Sequence, residues 1–433
     1  MNTAATARSP ISDLNAALDL PAVRPVVEIY KWATDSGLRG ANAETLFDGY
    51  CRHLVTHGVR LLRGHVSTPT LHPQWTGYGY TWRRQANSLN VQVFLRSVAP
   101  NEAWVNSPFS QLMQRAMSGE RHPSLRRRLA RGPDQRDFPA LVEFHSEGAT
   151  DYYAAISVFG ESGDPSQGKG VVYSFTTDAP DGFSEDEIEI IQTTLPVVSL
   201  ALKAHAGNQI ATNLLRTYLG EHAAQRVHTG SVLRGVADGL SAALLYADVR
   251  GFTKLTDVTP GAEIIDMLDD IFEALIAPMR SRGGHVLKFI GDAVLAIFPF
   301  EEGDEAQTCR LALDAAEEAN IALERRRAER MAADLAFASV DIALHVGEVM
   351  YGNFGAVDRL DFTAIGPAVN EVARLEKLCE PLGRRLLMSE RFARAAVECK
   401  GRLKSLGQFT LRGVSEPKEV FGCSRELADP MAS

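Results

Sequence analysis

Two carboxylates stand where their neighbours make them costly. Asp248 follows the apolar run "ALLYA", and Asp292 falls in "HVLKFIGDAVLAIFP", which reads as a hairpin turning at Gly291 and Asp292. A carboxylate left unpaired beside a core costs several kcal/mol, so each must find a cation, a cluster of donors or a metal. Singly, each has an ordinary explanation as a turn or cap residue. Together, at the end of one strand and the tip of a neighbouring hairpin, they make a hard oxygen-ligand site of the kind Mg²⁺ shares with phosphate oxygens.

Other residues point to the same chemistry. "GFT" (Gly251, Phe252, Thr253) lies where the chain leaves the first strand for a helix. Its glycine permits close approach, and its backbone N–H groups can face a triphosphate. Lys288 precedes Asp292 by four residues in the same strand region. In "RLDFTAIGPAVNEVARLEKL", Asn370 and Arg374 are four apart on a helix starting at Pro367, hence on one face. A planar guanidinium clamps phosphate and an amide beside it orients a ribose.

The elements that must position these residues follow from hydrophobic period. After "VHTGSVLRG" the pattern runs strand (242–249), helix (260–281), strand (285–291), strand (293–299), helix (303–331), strand (338–350), strand (359–365) and helix (367–380), with further strands to 422. That order is βαββαβ, the ferredoxin-like plan, in which the first strand neighbours the hairpin. An α+β domain is expected over 240–433.

Residues 1–204 read as a second α+β domain. A helical stretch over 24–58 ends at Gly58 and carries Leu46, Tyr50, Leu54 and Val55 on its apolar face. "RLLRGHVS" and "GYGYTWRR" read as strands, the second with Tyr78, Tyr80 and Trp82 on one face. "RRRLARG" (126–132) reads as an exposed basic turn, and "ALVEFHSEG", "DYYAAISVFG" and "GKGVVYSFTT" as the remaining antiparallel strands. The aromatic trio, with His65 and His72, is the candidate ligand pocket of this domain, or else its core; no attachment motif marks those histidines as haem ligands. Residues 182–227 read as helical, opened by a capping box of Ser184 and Glu187 with Pro196 inside. The stretch 205–239 is the expected helical linker, a rigid connector or dimer stalk, or an ordinary pair of packing helices.

Composition narrows the classes. A chain of 433 residues exceeds one core and calls for two domains. A formal charge of −9 argues against a general nucleic-acid or anionic-membrane partner. The five cysteines are scattered and form no CxxC pair, which fits a reducing cytoplasm without disulfides or a cysteine zinc site. The first twenty residues lack a signal-type apolar core, and no run reaches the ~18 apolar residues of a spanning helix.

"ADVRGFTKLTD", "KFIGDAVLAIFP", "ALHVGEVMYGNFG" and "DFTAIGPAVNEVARLE" resemble, in order and spacing, the successive motifs of the class III nucleotidyl cyclase catalytic domain over about 240–422. The resemblance implies a homodimer with active sites shared between two chains. It implies two Mg²⁺ or Mn²⁺ ions per site on Asp248 and Asp292, Lys288 and Thr363 at the purine edge, Asn370 on the ribose and Arg374 on the phosphates. Lys288 with Thr363 favours ATP over GTP, hence an adenylate cyclase; a guanylate cyclase and a non-catalytic nucleotide-binding module are the alternatives. Two positions depart from the family pattern: Pro367 stands where Asp is usual, and Arg412 stands where many members carry a phosphate-contacting lysine. A diguanylate cyclase would need a GGDEF hairpin where this chain has "FIGDAV". "GFSEDEIEIIQTTLPVVSLALK" is similar to the closing helix of GAF-type sensor domains, which implies an unidentified small-molecule or protein signal.

Overall fold

The computed structural model describes residues 23–86, 88–97, 102–159, 170–413 and 416–424. The leader-free reading of the first twenty residues lies outside them. The chain divides between Leu214 and Leu215 into two compact units.

The first unit contains α1 (Arg24–Leu38), α2 (Ala43–Thr56), β1 (Leu61–Pro69), β2 (Trp75–Arg83), β3 (Asn90–Leu95), α3 (Glu102–Val105), α4 (Pro108–Met117), β4 (Ser124–Arg127), α5 (Pro139–Ser146), β5 (Asp151–Val158), β6 (Gly170–Thr177) and α6 (Glu185–Leu219). Its sheet is antiparallel in the order β3-β2-β1-β6-β5-β4. Helix α2 starts where the Asn42 side chain accepts the Thr45 N–H at 2.8 Å, and it buries Leu46, Tyr50 and Leu54. Val55, expected on that face, is exposed. The capping box forms as expected: Ser184 Oγ accepts the Glu187 N–H at 3.1 Å and Glu187 accepts the Ser184 N–H at 2.7 Å.

Two further expectations fail in this unit. "ALVEFHSEG" is not a strand but the body of α5: Pro139 presets the first turn, and Leu141 and Phe144, three apart, pack into one cluster. "RRRLARG" is not an exposed turn, because Arg126 and Arg127 end β4 and Leu129 is fully buried. Arg126 instead binds Asp151, which is itself fully buried, at 2.8 Å. Tyr80 and Trp82 join the core. Both ring nitrogens of His65 are taken, Nδ1 by Thr81 at 2.8 Å and Nε2 by Ser67 at 2.9 Å, so this ring offers no free ligand atom. His72 stacks on Trp75 with ring centroids 3.2 Å apart.

The second unit contains α7 (Glu221–His228), β7 (Ala237–Val249), α8 (Phe252–Thr256), α9 (Gly261–Ser281), β8 (His285–Ile290), β9 (Ala293–Pro299), α10 (Glu305–Ala332), β10 (Val340–Gly355), β11 (Leu360–Ile365), α11 (Pro367–Glu376), β12 (Leu386–Ser389), α12 (Glu390–Ala395), β13 (Leu403–Phe409) and β14 (Lys418–Cys423). The sheet runs β13-β14-β12-β10-β7-β9-β8, with β11 paired to β10. Its stretch β10-β7-β9-β8 is antiparallel throughout, the ferredoxin-like arrangement.

Strand β7 is buried on both faces, so its side chains sort by parity. Ala243, Leu245, Ala247 and Val249 pack under α9 and α10, where Ile264, Met267, Ile271, Leu275 and Met279 recur at helical spacing. Burying each such side chain is worth roughly 1.5–3 kcal/mol relative to exposure. Ala242, Leu244 and Tyr246 take the opposite face, against α11. The next residue of that parity is Asp248.

Candidate active site

Asp248 therefore emerges at the end of β7 on the α11 face, with its side chain 18% exposed. The turn between β8 and β9 brings Asp292 to it. Burial, and next the charge of Asp248, raise the Asp292 carboxyl above its ordinary pKa, the signature of two carboxylates crowded into one place. Gly291 makes that turn with φ of 64°, and Gly251 adopts φ of 70° just past Asp248, a left-handed conformation that side chains resist. Nothing lies within 4 Å of where a Cβ on Gly251 would project, so the backbone entering α8 is open on that side. The strand end is held by a buried ion pair: Asp341, opposite Asp248 in register, accepts from Arg250 Nε at 3.0 Å and Nη2 at 2.6 Å.

A cation already addresses the carboxylates. Lys377, just past the end of α11, places Nζ 3.1 Å from Asp248 Oδ2 and 3.5 Å from Glu376. Burial pushes the Glu376 carboxyl up to about 7. Sequence reasoning stopped at Asn370 and Arg374, although Lys377 extends their stripe at i+7. Among the described residues no cluster of three or more His, Cys, Asp or Glu gathers as a metal site. Two carboxylates fit Mg²⁺ or Mn²⁺ nonetheless, because such ions keep several waters and take the rest of their shell from substrate phosphates.

Lys288, on β8, pairs with Asp361 of β11 rather than with Thr363. Asp361 and Thr363 share one face of that strand, so the pair and the threonine hydroxyl adjoin. The alternation of β11 marks Asp361, two residues before Thr363, as a neighbour of Lys288 that the motif pattern alone does not single out. Asn370 is exposed, and neither its side chain nor that of Arg374 makes a hydrogen bond or ion pair with another described residue. A Cβ on Gly413 would lie 3.6 Å from the Arg374 guanidinium, which puts the exposed Arg412 next in chain to that contact. Phe252 is half-buried against the core, whereas Thr253 is exposed. Pro367 begins α11 at its first turn, where its missing N–H is not needed.

Residues 238–422 match the model of the adenylate and guanylate cyclase catalytic domain. They form a class III nucleotidyl cyclase catalytic domain. This cyclase domain is 33% identical over 192 residues to an uncharacterized protein of Mycobacterium tuberculosis, a match covering 44% of this chain and 32% of that protein. It is 31% identical over 192 residues to an adenylate cyclase of Anabaena cylindrica, covering 43% of this chain and 36% of the relative. The chain thus spans about a third of the length of these curated relatives. The adenylyl cyclase CyaB from P. aeruginosa aligns over 45% of this chain and 98% of its own at 22% identity and a TM-score of 0.40. A bacterial light-regulated adenylyl cyclase aligns over 60% and 84% at 18% identity and a TM-score of 0.45. No described helix is long and apolar enough to cross a membrane.

Proposed function

We propose that the chain is a cytoplasmic, homodimeric adenylate cyclase that converts ATP to 3′,5′-cyclic AMP and pyrophosphate, regulated by its N-terminal unit. The observation that carries this reading is the convergence of Asp248 and Asp292, crowded enough to raise the Asp292 pKa and already drawing a lysine. These two residues would hold the divalent ions. When bound, Mg²⁺ or Mn²⁺ lowers the pKa of the ribose 3′-hydroxyl and neutralises the departing pyrophosphate.

The rest of the work is positioning and charge. Backbone N–H groups of Gly251, Phe252 and Thr253 face the triphosphate. Arg374, with no competing carboxylate among the described residues, binds the phosphates as charge shifts onto the leaving group, and Arg412 adds a second guanidinium there. Asn370 orients the ribose from one turn earlier on α11, in a site built from both chains of the dimer. Lys288 donates to an acceptor nitrogen of adenine while Thr363 accepts from the amino group. Asp361 supports that assignment by holding the Lys288 ammonium beside the threonine.

The N-terminal unit we read as a GAF-like sensor for a small-molecule or protein signal. Its six-stranded antiparallel sheet, with a capped helix packed on it, supports this.

Assay of the purified chain with Mn²⁺ and either triphosphate tests the proposal. Cyclic AMP from ATP is expected, and Asp292→Ala is expected to abolish it. Exclusive cyclic GMP production would make it a guanylate cyclase, and no product from either triphosphate would leave a nucleotide-binding module.

A further inference from the structure

The end of α11 carries a carboxylate that the proposed reaction leaves unused. Glu376 is the last residue of that helix, with its side chain 6% exposed. Its Oε2 is buried and has no hydrogen-bond partner among the described residues. A buried acceptor left unmade is costly, the more so when it carries charge. Burial first, then the charges of Asp248 and Asp341, raise the Glu376 pKa to about 7 against the pull of Lys377. Asp341 has its own cation in Arg250, whereas Lys377 serves both Asp248 and Glu376.

The lysine divides itself unequally. Its Nζ donates a hydrogen bond to Asp248 Oδ2 at 3.1 Å, but it stands 3.5 Å from Glu376 Oε2, an ion pair with no hydrogen bond formed. An ammonium–carboxylate hydrogen bond closes to about 2.7–2.9 Å, so rotation about the lysine's own bonds would complete one on Glu376 by moving Nζ less than about 1 Å. The lysine side chain is 69% exposed, so its stem turns in solvent. With Lys377 on Glu376, Asp248 and Asp292 present two negative charges, the match for one divalent ion. Glu376 does not join them as a third ligand, there being no cluster of three or more such residues that could hold a metal among the described ones.

We propose that Glu376 receives the Lys377 ammonium when a divalent ion occupies Asp248 and Asp292, and so acts as a positioning residue that eases the exchange of one cation for another. The lysine gives up Asp248 and gains the hydrogen bond that Glu376 Oε2 lacks, and no buried charge is stranded at either stage. This rests on the reading that Asp248 and Asp292 hold the metal, and not on which triphosphate is cyclised.

Mn²⁺ is the probe, titrated calorimetrically into the intact, nucleotide-free chain at low ionic strength and about pH 8, where the Glu376 carboxyl is ionised. Four proteins are compared: the parent, Glu376→Gln, Lys377→Met and the double variant. Glu376→Gln is expected to weaken Mn²⁺ binding about threefold to fivefold with Lys377 present, and by less than about 1.5-fold in the Lys377→Met background. A structural role for Glu376, or direct ligation of the metal by it, would instead weaken binding equally in both backgrounds, and that result overturns the proposal. Unchanged or tighter binding in Glu376→Gln with Lys377 present overturns it too. If Glu376→Gln melts early, Glu376→Asp, which keeps the charge but draws it back by one methylene, must weaken binding in the same Lys377-dependent way. Mn²⁺ binding that survives Asp248→Asn/Asp292→Asn would remove the metal assignment itself and the proposal with it. A chain that cyclises neither triphosphate yet shows the expected pattern would retain the lysine exchange and lose only the cyclase reading.

Discussion

Lys377 stands in the position a divalent ion would claim, and replacing it separates two contributions. Its Nζ is 3.1 Å from Asp248, where the bare Coulomb attraction at an effective dielectric of 20 is about 5 kcal/mol. The lysine side chain is 69% exposed, so solvent screening and lost side-chain freedom reduce the net value to about 1 kcal/mol or less. A metal entering the parent site must displace that ammonium; in Lys377→Met it need not. Mn²⁺ affinity of the nucleotide-free chain is therefore expected to rise by up to about fivefold, the equivalent of about 1 kcal/mol. The cost appears without metal, where Asp248 and Asp292 lose their compensating charge and the melting temperature of the variant falls, to be restored by Mn²⁺. Isothermal titration of Mn²⁺ into both proteins at low ionic strength reads the first effect, and the difference shrinks as salt screens the ammonium. Unchanged or weaker Mn²⁺ binding in Lys377→Met would refute the idea that this lysine and the metal compete for one site.

Two further outcomes concern the first unit, which holds all four tryptophans (Trp32, Trp75, Trp82 and Trp104), so that fluorescence reports on it alone. Burial lowers the His65 pKa to about 3, well below its value in the unfolded chain. The unfolded state then binds the proton first, and stability is lost as pH falls below about 6.5, reaching about 2 kcal/mol by pH 5. Urea unfolding between pH 7 and 5 should show that loss, and His65→Gln should flatten it. Asp151 accepts from Arg126, from the Tyr152 N–H at 2.9 Å and from the Phe183 N–H at 3.1 Å, entirely out of solvent. Asp151→Ala strands those donors and should cost about 3–5 kcal/mol in the same urea titration.

Much of the candidate site was legible because it rests on local periodicity. Alternation along "SAALLYADV" carries Asp248 onto one face of β7, a glycine followed by Asp292 turns the hairpin, and a spacing of four sets Asn370 and Arg374 on one stripe of α11. Ser184 and Glu187 likewise cap α6 through a bond pattern that spans three residues. Short-range geometry of this kind is imposed by the backbone itself. The failures have the opposite character. "ALVEFHSEG" satisfies strand and helix patterns over so few residues that only its packing beside Leu129 and Tyr152 selects the helix. Arg126 reads as a surface charge until β4 pairs with β5 and brings it to Asp151, 25 residues away.

The sequence by itself determined which residues could do chemistry and which face of which element each would occupy. Only the tertiary structure decided their partners: Lys377 on Asp248 across 129 residues, Lys288 on Asp361 across 73, and His345 Nδ1 on Ser389 across 44. The physical reason is that a side chain's direction follows from the few dihedrals around it, whereas its neighbour follows from strand order and helix packing, which the whole core must settle together.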